Sequence, residues 1–204
     1  MIVHLGSRAA IAVVLGWSGI ATALAQDEVR YSVYSSISRA DCPAVKGKKP
    51  TGDAHEAIVH RCPTPFGFEV TKTYLGAAVQ ITIAKPKVSE QAKLGAGYDA
   101  GETIEWRGIK KGPDFTPHAA VVRLISRNEA GRQVSVLAIL RVEKDRVCPA
   151  AWLDAGANPQ ANDLARKSAD NLAGTFRCGG SEPAIIGPPT ELVKDIAARS
   201  PGRP

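Results

Sequence analysis

The stretch HAAVVRLISRNEAGRQVSVLAILRVE, residues 118–143, decides the fold because two runs of alternating hydrophobic residues flank a turn. Alternation with a period of two is typical of a β-strand with one buried face. The second run also carries Leu137 and Ile139 on its other face, which predicts a central strand covered on both sides. Asn128–Gly131 supplies turn residues between the runs. The predicted hairpin pairs residues 118–127 with 132–143.

Further extended segments lie on both sides of this hairpin. They cover 31–37, 57–62, 68–75, 79–83, 103–107 and 146–153. Most are joined by turns or loops rather than by the helices that parallel βαβ units need. The predicted fold class is therefore α+β: an antiparallel β-sheet meander of about 6–8 strands with one C-terminal helix packed on it, stapled by disulfides.

The one clear helix is predicted over residues 159–173. Asn158 suits the N-cap, Pro159 suits the first helical position and Gly174 suits the stop after the last turn. Small and apolar residues recur at helical spacing and form one stripe, which consists of Ala161, Leu164, Ala165, Ser168, Ala169 and Leu172. We expect this stripe to face the sheet.

Two other segments have less regular patterns. The predicted domain ends at residue 180 and covers residues 26–180. The tail over 181–204 is rich in Pro and Gly and is expected to be loosely held, with a short amphipathic helix over 190–199 as an option. Residues 85–101 read as a long polar loop, either mobile or ligand-binding, in which a short helix from Ser89 is an alternative.

The start of the chain reads as a signal peptide over residues 1–25. A short n-region ending at Arg8 precedes an apolar run, and Ala23–Ala25 forms an A-x-A cleavage site. An uncleaved membrane anchor is the alternative, but the apolar run is shorter than the roughly 20 residues that span a bilayer. The predicted location is periplasmic or secreted, with no transmembrane segment after Sec cleavage near Ala25.

Four cysteines follow the predicted signal peptide. An even number in an exported chain predicts disulfides, and four cysteines allow three pairings. We favour Cys42 with Cys62 and Cys148 with Cys178, because each pair brackets one local segment. Neither redox-active C-x-x-C spacing nor thiolate zinc-ligand spacing occurs, so no metal and no cofactor is predicted.

Charge restricts the partners. Lys and Arg outnumber Asp and Glu by 26 to 20, a formal net charge of +6, which falls by one if Arg8 is removed with the signal peptide. The basic residues are scattered and not interleaved with aromatic residues, so nucleic acid is not a predicted partner. The predicted partner is an unidentified envelope component or protein, with weak attraction to anionic envelope material.

No catalytic residue is predicted. His55 and His60 are five residues apart, which would place them about 140° apart on a helix and not on one metal-binding face. His118 follows Pro117 at the start of an alternating segment and has no acidic neighbour in sequence. A serine triad with one of these imidazoles stays an alternative, because triad members are distant in sequence.

The candidate binding residues are Trp106, Arg107, Trp152 and Asp154. Tryptophan and arginine dominate binding hot spots, which gives these residues a functional interpretation. The structural alternative is that both tryptophans anchor the core and that Asp154 caps a turn. Sequence alone leaves both interpretations open.

Ten short segments carry a resemblance to known proteins: 61–63, 67–70, 105–107, 119–123, 154–155, 157–159, 161–162, 164–166, 169–170 and 176–179. In these segments the chain resembles a group of short exported proteins of alphaproteobacteria without an assigned activity. The resemblance covers residues 30–180 and supports a periplasmic location and disulfides, but it carries over no catalytic residue.

The function expected from the sequence is a non-catalytic binding or interaction module of the cell envelope. Its basis is a disulfide-stapled sheet without a recognisable chemical motif. Two alternatives remain: a hydrolase acting on envelope glycan, peptide or ester, and a structural or stress-related envelope protein. The hydrolase requires a cleft where an imidazole or a pair of carboxylates converges.

Overall fold

In the computed structural model the described residues are 29–45, 57–75, 78–86, 91–95, 99–128 and 130–200. The predicted signal peptide over 1–25, His55, and Ser89, where the alternative loop helix would start, lie outside them.

The described ranges form eleven strands and two helices, so the fold is mixed α+β and mostly strand. The strands are β1 (Arg30–Ser36), β2 (Ala44–Val45), β3 (Ile58–Cys62), β4 (Glu69–Leu75), β5 (Ala78–Ala84), β6 (Ala92–Leu94), β7 (Asp99–Lys111), β8 (Asp114–Arg127), β9 (Gln133–Val142), β10 (Val147–Asp154) and β11 (Ala184–Ile186). The helices are α1 (Ala161–Thr175) and α2 (Glu191–Arg199), and a single 3-10 turn covers Pro65–Gly67.

The strands divide into two sheets, which corrects the expectation of a single meander. The large sheet has the order β1-β7-β8-β9-β10-β11, and the small sheet has the order β2-β3-β4-β5-β6. All pairs are antiparallel except β10 with β11, which is parallel. A parallel neighbour needs a crossover, and α1 supplies it between β10 and β11. Alternation in the sequence identified most strands but could not assign them to sheets.

The predicted hairpin is present as β8 and β9. Its register pairs Ala119 with Arg141 at one end and Arg127 with Gln133 at the other. Strand β9 is covered on both faces, as Leu137 and Ile139 predicted. One face joins the core between the two sheets, and the other packs against α1.

The main core lies between the sheets and consists of hydrophobic side chains from both. Its largest fully buried side chains include Trp106 and Trp152 from the large sheet and Ile81 and Ile83 from the small sheet. A second cluster lies on the outer face of the large sheet, where Ala161, Ala165 and Ala169 of α1 are buried. Small side chains on this stripe let the helix approach β8 and β9 closely.

Helix α1 begins and ends two residues later than predicted. The side chain of Asn158 does not cap the helix, since its amide donates instead to the carbonyl oxygen of Asp154 at 2.7 Å. The Asn158 carbonyl accepts from the Ala161 amide at 3.0 Å. Gly174 lies inside the last turn, and the chain becomes extended at Phe176.

Both disulfides have the favoured pairing. Cys42–Cys62 ties the segment after β1 to the end of β3, and Cys148–Cys178 ties β10 to the segment after α1. The second bond lies in a small apolar cluster with Ala150 and Phe176. It therefore fixes the C-terminal end of α1 against the large sheet.

The C-terminal segment packs on the core, which differs from the expected loosely held tail. Helix α2 matches the short helix considered over 190–199, so the fold has two helices rather than one. Thr190 caps α2, and Val193 and Ile196 are 0% and 1% exposed against the main core. A nine-residue helix has little stability alone, so its order comes from this packing. Within the described ranges, neither helix has the length and apolar character needed to cross a bilayer.

Candidate ligand-binding pocket

The two tryptophans proposed as binding residues lie inside the protein. Trp106 is 0% exposed, donates from Nε1 to the Ser35 hydroxyl at 2.8 Å, and stacks on Phe68 with ring centroids 5.0 Å apart. Trp152 is 1% exposed in the same core. Both therefore act as core anchors in this geometry, and neither presents a surface to a partner.

Asp154 ends β10 and organises the turn before α1. Its Oδ1 accepts from the amides of Gly156 at 2.8 Å and Ala157 at 3.2 Å. Its Oδ2 accepts from the hydroxyl of Thr190 at 2.6 Å, the residue that caps α2. Asp154 thus links the two helices, which matches the structural alternative raised from the sequence.

Arg107 lies on the outer face of the large sheet, beneath α1. It donates from Nε and one terminal nitrogen to the two carboxylate oxygens of Asp170, at 3.2 Å and 2.5 Å. Its other terminal nitrogen donates to the Ser32 hydroxyl at 2.7 Å. All three guanidinium nitrogens of Arg107 therefore make hydrogen bonds, and two of them hold α1 against the sheet. A role of Arg107 in binding a partner stays a prediction. The Asp170 it orients also contacts His118.

A β-bulge places His118 next to Asp170. Arg107 pairs with Ala119 and Gly108 pairs with Pro117, so His118 is the extra residue on β8. Simple alternation would place it between the sheets with Ala120, whereas the bulge turns it outward toward α1. Gly108 makes the close approach possible, because a Cβ there would lie 2.3 Å from the carbonyl oxygen of Thr116.

The His118 imidazole and the Asp170 carboxylate form a hydrogen-bonded pair. Nε2 of His118 lies 3.1 Å from Oδ1 of Asp170, and the two side chains are 14% and 11% exposed. Burial lowers the pKa of His118, although Asp170 counteracts this. Burial alone would raise the pKa of Asp170, but its bonds with Arg107 and His118 outweigh that effect and lower it. At neutral pH the pair is therefore a carboxylate and a neutral imidazole that donates from Nε2.

His118 lines a pocket of about 670 Å³ at one end of the large sheet. We call it the His118 pocket. Its walls come from the 3-10 turn, the start of β8, the β9–β10 turn and the C-terminal end of α1. The lining residues are Phe66, Phe68, Lys85, Thr116, Pro117, His118, Arg141, Val142, Glu143, Lys144, Asp145, Ala173 and Arg177.

Positive charge predominates in the His118 pocket. Its lining includes four Lys or Arg side chains and two carboxylates. One carboxylate, Glu143, is shared between Arg141 and Arg146, each at 3.7 Å, and accepts from the Cys178 amide at 3.3 Å. The other, Asp145, has a side chain that is 64% exposed. Arg146 does not line the pocket, so Glu143 divides its charge between one pocket cation and one outside it, and Asp145 pairs with Arg146 at 3.5 Å.

Arg141 is the most deeply placed cation of the pocket. One terminal nitrogen donates to the His118 carbonyl at 3.1 Å. In the described part of the chain, its buried Nε has no hydrogen-bond acceptor, since Oε1 of Glu143 is 3.7 Å away. Burial lowers the pKa of Arg141, Glu143 counteracts this, and the positive charge of Arg177 lowers it further. An anion in the pocket would relieve this excess of positive charge.

The remaining histidine within the described ranges lies elsewhere. His60 of β3 is 6% exposed, and its Nδ1 is 2.8 Å from the carbonyl oxygen of Cys42. It contacts the Tyr74 ring edge-on. Among the described residues, no group of three His, Cys, Asp or Glu side chains is arranged to hold a metal ion.

Sequence reasoning missed Arg141 and Arg177 as pocket residues and Asp170 as the partner of His118. Asp170 is 52 residues from His118, and only the docking of α1 brings the two together. Pro117 next to His118 was a local sign of irregularity, since proline interrupts a strand ladder. That sign does not say on which face His118 emerges.

Compared with protein-family models, curated proteins and solved structures, the chain matches none of them.

Proposed function

We propose that the protein is a non-catalytic binding protein that acts outside the cytoplasm and holds an anionic ligand in the His118 pocket. The observation that carries this proposal is Nε of Arg141, which makes no hydrogen bond within the described residues and only a 3.7 Å ion pair with Glu143, in a pocket whose described lining has more cations than carboxylates. Hydrogen bonds to a charged group contribute about 1.5–3 kcal/mol, so one correctly placed anion would stabilise this arrangement.

The extracytoplasmic part of the proposal rests on chemistry and on sequence. Two disulfides require an oxidising compartment to form and persist. The signal-like residues 1–25 and the resemblance to exported alphaproteobacterial proteins support the periplasm. Expression of the full chain in a bacterial host, followed by N-terminal sequencing of the periplasmic fraction, tests it. A chain starting at Gln26 is expected, and a chain retaining Met1 in the cytoplasm would contradict the proposal.

Anion binding is tested by calorimetry on the purified, oxidised protein with phosphate, citrate and glucuronate at low ionic strength. Arg177→Gln removes one pocket cation whose only side-chain hydrogen bond in the described part of the chain is to the Phe176 carbonyl at 3.1 Å. Arg132→Gln is the matched control, because it makes the same charge change roughly 30 Å away along β9.

We expect at least one of these anions to bind, with roughly tenfold weaker affinity in Arg177→Gln and unchanged affinity in Arg132→Gln. Equal weakening by both substitutions would mean that only the overall charge attracts anions. That result, or no binding by any anion, would overturn the assignment of the pocket.

A hydrolase is the second candidate, and the His118–Asp170 pair at a pocket is the observation that favours it. Two features weaken this interpretation. Arg107 engages both oxygens of Asp170, which leaves the carboxylate less able to raise the basicity of the imidazole. Thr116 supplies the one neutral hydroxyl among the lining residues of the described chain. We expect p-nitrophenyl esters to be hydrolysed at the same rate by the protein and by His118→Gln, whereas a tenfold loss in the variant would favour the hydrolase.

A further inference from the structure

The His118 pocket has apolar as well as charged lining residues. The apolar ones are Phe66, Phe68, Pro117 and Val142. Phe68 stacks on the buried Trp106 ring, and Phe66 contacts Trp106 edge-on with centroids 6.2 Å apart. Rings held against a rigid core form a preorganised apolar surface, whose ordering costs nothing further when a ligand arrives.

Phe66 occupies this position at a conformational cost. Its φ of 70° makes it the one non-glycine residue with positive φ in the described ranges. A bulky residue in the left-handed region is unusual and costs roughly 1–2 kcal/mol relative to the right-handed region. Glycine or asparagine would adopt this backbone more easily. Strain of this kind clusters at ligand-binding segments, where the position of a side chain matters more than the local stability.

The cations of the same pocket come from other elements. Arg141 comes from the end of β9 and Arg177 from the segment after α1, while the two phenylalanines belong to the turn that leads into β4. Lys85 joins the two sets of residues: its Nζ is 5.0 Å from the centroid of the Phe68 ring and donates to the Lys144 carbonyl at 2.8 Å. A ligand that fills the pocket therefore meets both cations and aromatic rings.

The size and lining of the pocket limit the kind of anion. A volume of about 670 Å³ is within the range of roughly 300–1,000 Å³ that organic ligands occupy. An inorganic ion would leave the aromatic wall in water. A polyhydroxylated ring would need several partners for its hydroxyl groups, and among the described lining residues only Thr116 and His118 carry neutral polar side chains. Unpaired hydroxyl groups weaken binding strongly.

We propose that the His118 pocket selects ring-bearing carboxylates with an apolar aromatic or alicyclic body, its carboxylate toward Arg141 and Arg177 and its ring toward Phe66 and Phe68. This inference rests on the proposed function, since it specifies the anion that the pocket binds. It excludes sugar acids and inorganic anions as the preferred ligands.

The test compares four probes by calorimetry on the oxidised full protein: 2-naphthoate, neutral 2-naphthylmethanol, glucuronate and inorganic phosphate. We expect 2-naphthoate to bind at least tenfold more tightly than each of the other three. If glucuronate or phosphate binds as tightly as 2-naphthoate, the ring preference is wrong while the anion-binding function stands. If none of the anions binds, the proposed function itself fails.

Two substitutions test the aromatic and the cationic lining residues separately. Phe66→Asn removes the ring while suiting the left-handed backbone, so the relieved backbone strain offsets part of the packing lost against Trp106 and Phe115. Circular dichroism and the Tm verify that the variant is folded. We expect it to weaken 2-naphthoate about tenfold. Arg177→Gln should weaken 2-naphthoate to a similar degree but leave 2-naphthylmethanol unchanged. Wild-type affinity for 2-naphthoate in a folded Phe66→Asn protein would overturn the aromatic assignment.

Tyr31→Asn is the matched control for a surface aromatic. Tyr31 is 47% exposed on β1 and has Nζ of Lys110 5.1 Å from its ring centroid, so it offers the same pairing of ring and cation outside the pocket. We expect this substitution to leave 2-naphthoate affinity unchanged. A loss equal to that of Phe66→Asn would show that exposed ring–cation pairs, and not the pocket, capture the probe.

Discussion

Replacing Asp170 by asparagine should destabilise the protein far more than an ordinary change on a helix surface. The substitution keeps the size of the side chain but removes the negative charge against which Arg107 is held. Arg107 and Asp170 are each 11% exposed as side chains. In the variant a nearly buried guanidinium would remain with only neutral acceptors, the Ser32 hydroxyl and the new amide oxygen.

The magnitude follows from this burial. Removing one partner of a buried ion pair costs about 3–5 kcal/mol. Because both side chains keep some exposure and the introduced amide retains one acceptor, we expect the lower end, about 3 kcal/mol. For a domain of this size that corresponds to a fall in Tm of roughly 6–12 °C. His118 also loses its anionic acceptor, so the shape of the His118 pocket should change as well.

Urea unfolding of the oxidised protein measures this loss of stability. An unchanged m value would show that variant and wild type expose the same surface on unfolding, so that their free energies of unfolding can be compared. Asp163→Asn is the matched control on the same helix. Asp163 is 65% exposed and pairs with Arg166 at 3.0 Å, a surface pair that contributes about 0–1 kcal/mol. If Asp170→Asn were no more destabilising than Asp163→Asn, the buried pair would not dock α1 and the account of the bulge and its histidine would fail.

Three further outcomes follow from the same packing. Gly108→Ala should cost about 1–3 kcal/mol in urea unfolding, because the new Cβ would lie 2.3 Å from the Thr116 carbonyl oxygen, and wild-type stability would contradict the bulge. Burial lowers the pKa of His118 in the folded protein, so just below pH 6.5 the unfolded chain binds more protons than the folded one. The free energy of unfolding should therefore rise with pH between pH 5 and 7, and His118→Gln should make this dependence on pH flatter. Ile196→Ala should cost about 2–5 kcal/mol, and a cost below about 0.5 kcal/mol would mean that α2 does not pack on the core.

The sequence predicted those parts of the fold in which one strand or helix carries its own pattern. Leu137 and Ile139 opposite the alternating residues of β9 indicated a strand covered on both sides, and α1 indeed covers the second face. Local bracketing by cysteines favoured the pairing that the structure has. These inferences needed only local periodicity or spacing.

Features that depend on how distant segments meet could not be predicted. The division into two sheets depends on which strands pair, and alternation is the same in either arrangement. The tail that contains α2 was expected to be loosely held because it is rich in Pro and Gly. A nine-residue helix has little stability alone, and the burial of Val193 and Ile196 orders it.

The candidate pocket was the part of the structure that was hardest to predict from the sequence. Trp106 and Arg107 alternate as expected, with Trp106 between the sheets and Arg107 on the opposite face. His118 departs from alternation because one extra residue bulges from β8, and its partner Asp170 arrives from a helix 52 residues later. A one-residue shift in register moves a side chain to the opposite face, so no pattern in the sequence could assign His118 to the pocket.

The central claim is that the His118 pocket binds ring-bearing carboxylates, and the most direct test is to locate the residues that such a ligand contacts. In NMR spectra of the oxidised protein with 2-naphthoate, we expect intermolecular NOEs from the naphthalene protons to the ring of Phe66. Shift changes should be centred on residues 66–68, 116–118 and 141–145. NOEs to the exposed ring of Tyr31 instead, or shift changes spread evenly over the surface cations, would contradict the assignment of the His118 pocket as the binding site.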